Sequence, residues 1–192
     1  MYQCLKCNAF EDVEGYKLVS LRKEDMENIR QWRNAQLHVL RQNCEITEEE
    51  QKTYYQKMIA PSFSQKEPPQ ILFSYLYRDD CIGYGGLVNL DWTSRRGEVS
   101  FLVDPSRVDD TICYGSDMTH FFALIFKIAF EELFLHRLYV ETFAFRKDHI
   151  KIIEALGFKC EGILREHVYK DADWHDSIVH GLLAGEETLD AP

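Results

Sequence analysis

The sequence predicts an α+β fold in which a mixed, mostly antiparallel, twisted sheet of about six to seven strands is flanked by helices. Seven segments alternate polar and apolar residues as strands do, and four segments carry helical periodicity or helix caps. Three strands follow one another in one group and two in another, unlike the regular alternation of a parallel α/β sheet. A hydrophobic content of 45% in 192 residues is sufficient for one packed core.

The first half of the chain is predicted to hold two helices between strands. A capping box, Thr47-Glu-Glu-Glu50, marks the start of the second helix. Arg78-Asp-Asp80 forms a tight turn between the two strands of a hairpin. The predicted elements are a strand at 16–21, helices at 24–34 and 48–59, and strands at 71–77 and 81–90.

The second half is organised around a long apolar helix that follows a strand at 98–103. Pro105 ends that strand, because proline has no N–H for the ladder. Ser116 is the predicted N-cap of the helix, which extends from Met118 to Leu133. The remaining elements are a strand at 136–143, a helix at 147–156 that ends at a glycine, and strands at 158–168 and 174–183.

The loop before the apolar helix contains Gly115 and follows a core strand directly. Backbone N–H groups at the N-terminus of a buried helix suit an anionic group such as a phosphate. An ordinary turn between a strand and a helix is the alternative, because such turns are common in folds that contain both.

The chain is expected to form one domain at 15–186, preceded by a disordered or loosely docked N-terminal extension at 1–14. The formal net charge of -10 argues against general binding to nucleic acid or to an anionic membrane. No signal peptide or run of membrane-spanning length is present, so the expected location is the cytoplasm.

Six cysteines are scattered through the predicted elements, which is typical of buried, reduced thiols in a cytosolic protein. Cys4 and Cys7 have the spacing of a metal-binding pair. A second pair at suitable spacing does not follow, so no metal site is expected.

Several short phrases, in their order and spacing, carry a resemblance to a known family over residues 16–183. They are Trp32-Arg-Asn34, Ile82-Gly-Tyr-Gly-Gly-Leu87, Gly97-Glu-Val-Ser-Phe101, Ala129-Phe-Glu-Glu-Leu133, His136-Arg-Leu138, Leu156-Gly-Phe158, Glu161-Gly162 and Trp174-His-Asp176. The chain resembles the GNAT superfamily of acetyl-CoA-dependent N-acetyltransferases. Within it, the phrases look most like the ribosomal-protein N-terminal and sugar-nucleotide acetyltransferases.

The resemblance implies a coenzyme site along the strand at 98–103 and at the start of the apolar helix. The family's loop, Gln/Arg-x-x-Gly-x-Gly/Ala, aligns with Asp110 to Gly115, so an acidic residue replaces the basic one and Cys113 replaces the first glycine. Arg107 lies just upstream and is a candidate replacement for the lost charge. The residues expected to contact coenzyme A are Phe101, Leu102, Val103, Arg107, Cys113, Tyr114, Gly115, Ser116 and Arg146.

Glu98 is the first candidate for the catalytic base, because a carboxylate in that strand of this family commonly faces the acceptor cleft. A salt bridge to Arg95 or Arg96 is the alternative role. The family's tyrosine, often the acid for the coenzyme thiolate, is replaced by Ile153. His149, one helical turn earlier, is the candidate acid, and an exposed surface histidine is the alternative.

The residues expected to shape the acceptor site are Trp32, Arg33, Asn34, Glu141 and Trp174. An amino-sugar nucleotide is the favoured acceptor, with Arg33 gripping its diphosphate. A protein N-terminus and a small polyamine are the other acceptors, since the acidic chain suits basic partners. The altered loop and the missing tyrosine also leave open a coenzyme-binding regulatory protein that recognises without catalysing. A homodimer is possible for any of these.

Overall fold

A computed structural model, which describes residues 1–188, contains one twisted eight-stranded sheet with helices on both faces. The order across the sheet is β1-β2-β3-β4-β5-β6-β8-β7, and within it β5 and β6 are the parallel neighbours. This confirms the predicted fold class, with one strand more than the seven predicted. The strands are β1 (Ala9–Glu11), β2 (Tyr16–Ser20), β3 (Ile71–Tyr77), β4 (Asp80–Asp91), β5 (Arg96–Val103), β6 (Arg137–Phe143), β7 (Lys159–Lys170) and β8 (Asp173–Leu183).

The helices divide between the two faces of the sheet. A smaller core cluster, which includes Ile29, Ile59 and Leu102, joins the first helices to one face, and a larger cluster lies under the later helices on the other. The capping box at Thr47 and Glu50 is formed as predicted. The helices are α1 (Met26–Ala35), α2 (Glu48–Tyr54), α3 (Ala60–Ser62), α4 (Pro105–Val108), α5 (Thr111–Phe126) and α6 (Lys147–Ala155). A π-helical segment at Tyr55–Ile59 joins α2 to α3, and another at Lys127–Glu132 continues α5, close to its predicted end at Leu133.

The N-terminal segment is part of the core, contrary to the prediction of a loosely docked extension. Tyr2 is fully buried, and its hydroxyl donates to the carbonyl of Leu72 at 3.0 Å and accepts from the N–H of the same residue at 2.8 Å. β1 adds to the edge of the sheet beside β2, with Phe10 packed into the larger cluster. β1 has only three residues, which is too short for alternation to reveal it.

The apolar helix begins at Thr111, seven residues before the predicted Met118, so Ser116 is not its N-cap. Asp110 caps α5, and its carboxylate accepts from the N–H groups of Ile112 and Cys113, each at 3.0 Å. Aspartate is as good an N-cap as serine, and the earlier start places Tyr114 on the buried face of the helix. Gly115 and Ser116 therefore lie within the helix.

All six cysteines are free thiols, but Cys7, Cys44 and Cys160 are exposed and the other three are only partly buried, so the expectation of buried thiols is wrong. No group of three or more metal-ligating side chains occurs among residues 1–188. In the same part of the chain, no helix combines the length and apolar character needed to cross a membrane.

Candidate active site

The candidate site is an opening in the sheet between the two parallel strands. β5 and β6 pair over Arg96–Glu98 and Arg137–Tyr139. No pairing between them continues beyond these residues, so the two strands diverge there. A cavity of about 200 Å³ lies in this opening, and side chains of both strands and of α6 line it. A second cavity, of about 520 Å³, adjoins it and extends toward the start of α5. Val39, Arg146 and His149 line both.

Glu98 lies at the point of divergence and lines the first cavity. It is buried, and its carboxylate accepts from the amide of Asn89 at 2.7 Å and pairs with Arg41. Asn89 has a φ of 50° at the bulge in β4, a conformation that asparagine tolerates better than most residues. The bulge thereby turns the Asn89 side chain onto Glu98 and fixes one carboxylate oxygen. The predicted alternative pairing with Arg95 or Arg96 is not formed.

Glu141 lies on β6 on the opposite wall of the same cavity. Its carboxylate is 3.5 Å from the guanidinium of Arg41 and 3.7 Å from Nε2 of His167. Arg41 therefore lies between two carboxylates that the diverging strands supply. The lining of the cavity contains these two carboxylates and three guanidinium groups, those of Arg33, Arg41 and Arg146.

Tyr114, Arg146 and His149 form a hydrogen-bonded group where the two cavities meet. The Tyr114 hydroxyl lies 2.6 Å from Nδ1 of His149, and Nη2 of Arg146 lies 3.1 Å from the hydroxyl and 3.3 Å from Nδ1. Because a guanidinium can only donate, Nδ1 accepts and the neutral imidazole carries its proton on Nε2.

The pKa values of this group follow from its burial and charge. Burial, with the nearby Arg146 charge and His180, holds the pKa of His149 well below its usual value. Burial also raises the pKa of the Tyr114 hydroxyl, and Arg146 opposes that rise. At neutral pH the pair is therefore a neutral imidazole beside a protonated phenol.

Arg107 is not free to contact a phosphate. Its guanidinium makes a two-point ion pair with the fully buried Asp117, at 2.5 Å and 2.7 Å. Tyr16 donates to the same carboxylate at 3.0 Å. These contacts raise the pKa of Arg107 above its usual value, and they fasten α4 to α5. The predicted replacement of the lost loop charge by Arg107 is not supported by this geometry.

The predicted coenzyme loop is helical, so its backbone N–H groups are mostly engaged within α5. Tyr114 donates its N–H to the carbonyl of Asp110 at 2.8 Å. Gly115 has open space where a side chain would point, and Ser116 Oγ lies 3.3 Å from the Tyr16 hydroxyl. The carboxylate of Asp110 occupies the helix N-terminus, which is where an anionic ligand was expected. The Cys113 thiol lies 3.8 Å from Asp117.

The predicted strand residues divide between the cavity and the core. Phe101 lines the first cavity and packs on Phe121 with ring centroids 4.8 Å apart. Leu102 points to the other face, into the smaller cluster. Val103 is buried, and its carbonyl accepts from the amide of Gln36 at 2.8 Å.

Two of the five predicted acceptor residues, Arg33 and Asn34, hydrogen-bond to the segment at 36–47. The amide of Asn34 donates to the carbonyl of Ile46 and accepts from its N–H, both at 2.9 Å. Arg33 reaches the first cavity, but it donates to Gln42 at 2.9 Å and to Tyr84.

The two predicted tryptophans lie outside the opening. Trp32 packs on the smaller cluster. Trp174 is 57% exposed at the end of the last hairpin, beside Tyr169. Trp174 is therefore not part of the site within this chain.

A family model described as "Acetyltransferase (GNAT) domain" matches residues 18–179. That range is most of the chain and includes every strand that forms the opening. The chain belongs to the GNAT acetyltransferase family. No curated protein matches the chain at a significant level. As a GNAT N-acetyltransferase, the protein uses acetyl-CoA as its acetyl donor.

Solved structures with low sequence identity share this GNAT fold. Spermidine N-acetyltransferase from Vibrio cholerae, in complex with CoA and spermine, has a TM-score of 0.77 at 17% identity, over 90% of this chain and 97% of that one. A chimera of the spermidine N-acetyltransferase from Vibrio cholerae with hSSAT has a TM-score of 0.75 at 18% identity, over 88% and 96%. At such identities the likeness establishes the fold alone.

Two residues of the site were absent from the sequence prediction. Arg41 belongs to an irregular segment, and its sequence carries no motif that marks a contact with Glu98. Asn89 is turned into the site by a bulge that alternation does not reveal. Asp110 was recognised as a departure from the family loop, but its role as a helix cap was not.

Proposed function

We propose that this GNAT protein transfers the acetyl group of acetyl-CoA to a primary amine of a small, cationic, polyamine-like acceptor. The observation that carries the proposal is the pair of carboxylates, Glu98 and Glu141, which face each other across the opening around a guanidinium. A site that holds one cation between two carboxylates suits a ligand with an ammonium group. The spermidine N-acetyltransferase neighbours support this acceptor class.

In this proposal Glu98 acts as the base. An amine attacks a thioester only after it has lost its proton, and the Glu98 carboxylate takes that proton directly or through a water. Asn89 holds Oε2 of Glu98 at 2.7 Å, and Oε1, which accepts from Arg41, becomes available to the acceptor amine when the guanidinium is displaced. The backbone groups of β5 beyond Glu98, where β6 has diverged, are available to the amides of the donor and to the thioester oxygen.

Protonation of the leaving thiolate is assigned to His149, supported by Tyr114. The neutral imidazole gives its Nε2 proton to sulfur, and Nδ1 takes the proton of the Tyr114 hydroxyl in the same event. The phenolate that remains is stabilised by the adjacent Arg146 guanidinium, 3.1 Å away. This arrangement compensates for Ile153, which is buried in the core at the position of the family's tyrosine.

The experiment also includes the two other acceptors, an amino-sugar nucleotide and a peptide N-terminus. An amino-sugar nucleotide needs cations for its diphosphate, and Arg33, expected to serve there, is bonded to Gln42 and Tyr84. A peptide N-terminus would have to enter beside the segment at 36–47, whose residues Val39 to Gln42 line the cavity. The structure thus favours a slim, flexible cation over either.

The experiment is a thiol-release assay with acetyl-CoA and three acceptors: spermidine, an amino-sugar nucleotide and a basic peptide. Release with spermidine that exceeds both others supports the proposal. Release only with the nucleotide or the peptide overturns the polyamine assignment. Coenzyme binding without release from any amine would favour the non-catalytic alternative.

A further inference from the structure

We propose that Arg41 determines acceptor specificity: its guanidinium occupies the ammonium position of the acceptor, and a cationic acceptor must displace it. The inference rests on the proposed function and names how the same site selects its substrate. It follows from where Arg41 lies, how its backbone is held and which charges surround it.

Arg41 contacts both carboxylates of the opening and is still half exposed. Its guanidinium pairs with Glu98 and lies 3.5 Å from Glu141, while 50% of its side chain remains accessible to solvent. The carboxylates are far less exposed, at 9% and 18% of their side chains. The cation is therefore the accessible member of the group, and the carboxylates are the enclosed ones.

The backbone on both sides of Arg41 is anchored, so its release needs only a side-chain rotation. Nζ of Lys170 donates to the carbonyl of Leu37 at 2.8 Å and to that of Gln42 at 3.0 Å. Gln42 also bonds to Asn34 and to Arg33. Arg41 thus projects from a fixed segment into the cavity, and the segment need not open when the guanidinium leaves.

The charges distinguish two classes of acceptor. The amine of a polyamine that reacts enters the opening as an ammonium, and it can replace the guanidinium between Glu98 and Glu141 before Glu98 takes its proton. The exchange restores the ion pairs, but an acceptor must first compete with Arg41. An anionic acceptor, such as a sugar nucleotide, would instead be attracted to Arg41 and gain from its presence.

The test compares Arg41→Gln with the wild-type protein, using spermidine and an amino-sugar nucleotide as probes. Glutamine keeps a polar side chain of similar reach and removes the charge. The expected result is a KM for spermidine lowered by about fivefold, close to 1 kcal/mol, with a smaller change in kcat. If the nucleotide is acetylated at all, its KM is expected to be higher for Arg41→Gln than for the wild-type protein. The control is Arg78→Gln, which removes an equal charge in the turn between β3 and β4. It should leave the KM values for spermidine and for the nucleotide unchanged.

The outcomes separate this inference from the proposed function. If spermidine is acetylated by the wild-type protein, but Arg41→Gln leaves its KM unchanged or raises it, Arg41 orients Glu98 and the inference is overturned. If no amine releases thiol, the proposed function fails. Calorimetry of spermidine in the presence of CoA then gives the same comparison without turnover, and equal dissociation constants for the two proteins overturn the inference.

Discussion

Tyr114 Oη lies 2.6 Å from Nδ1 of His149, and this contact joins α5 to α6 across the mouth of the opening. Arg146 donates to both groups and fixes the direction of the bond. The site thereby contains a phenol that is hydrogen-bonded to a neutral imidazole beside a permanent cation. Neither the hydrophobic period of α5 nor that of α6 indicates this contact, because it depends on how the two helices are placed.

The depressed pKa of His149 predicts that this residue lowers stability at acid pH. In the unfolded chain a histidine binds its proton below about pH 6.5, whereas the folded protein resists protonation of His149. The unfolded state then binds more protons, so the free energy of unfolding falls as pH drops below that value. His149→Gln should remove this loss and flatten the pH dependence between pH 7 and pH 5.

Urea unfolding at a series of pH values measures the effect. The slope should differ between the two proteins by at most about 1.4 kcal/mol per pH unit, which is the value for a single proton. His136→Gln, at an exposed position, is the control and should leave the slope as it is. Parallel curves for wild type and His149→Gln would show that His149 gains its proton as easily in the folded state.

Glu98→Gln should lower kcat by about two to four powers of ten, the usual contribution of a positioned base. The amide keeps the shape of the side chain and can still contact Asn89, so the dissociation constant of acetyl-CoA should stay nearly constant. Steady-state kinetics with spermidine and calorimetry with acetyl-CoA measure the two quantities. Glu141→Gln is the matched control on the opposite wall and should mainly raise KM. Unchanged turnover of Glu98→Gln at every pH would remove Glu98 from the mechanism.

Asp110→Asn should tighten coenzyme binding by about two- to fivefold. The carboxylate of Asp110 accepts the N–H groups of Ile112 and Cys113 and places a negative charge where the coenzyme phosphates are expected. Asparagine is an equally good N-cap, so the helix start should survive the loss of charge, which is worth about 0.3–1 kcal/mol there.

Calorimetry with coenzyme A at low and high salt tests this effect. The gain should shrink at high salt, because exposed charges are screened. Asp79→Asn, in the turn between β3 and β4, removes an equal charge elsewhere and should leave the affinity constant. Identical affinities for Asp110→Asn and the wild-type protein would place the phosphates away from the start of α5.

The fold was predictable because its signals are local. Alternation located seven of the eight strands, and the capping box at Thr47 and Glu50 located the start of α2. The exact start of α5 was not predictable, because Asp110 and Ser116 are both good N-caps. In the structure the helix starts after Asp110, and Tyr114 lies on its buried face. The family resemblance was confirmed by the match over residues 18–179.

The candidate site was only partly predictable, because most of its contacts join distant segments. Glu98, Glu141 and His149 were named from the sequence, and all three line the first cavity. Arg41 lies 57 positions from Glu98 in the chain, and no pattern marks such a contact. Arg33 and Asn34 were assigned to the acceptor, but both side chains hydrogen-bond to the segment at 36–47, which carries Arg41. A motif predicts the location of a site more reliably than it predicts the contacts of each side chain in that site.

The buried N-terminal tyrosine predicts that the first residues contribute to global stability. Tyr2→Phe keeps the ring in the core but leaves the N–H of Leu72 without the hydroxyl that accepts from it, at a cost of about 1–3 kcal/mol. Tyr2→Ala should cost about 3–5 kcal/mol, because it also leaves a cavity. Urea unfolding measures both, and Tyr169→Phe, at an exposed tyrosine, should be neutral. If Tyr2→Phe and Tyr169→Phe unfold at the same midpoint, the segment before β1 is not part of the cooperative core.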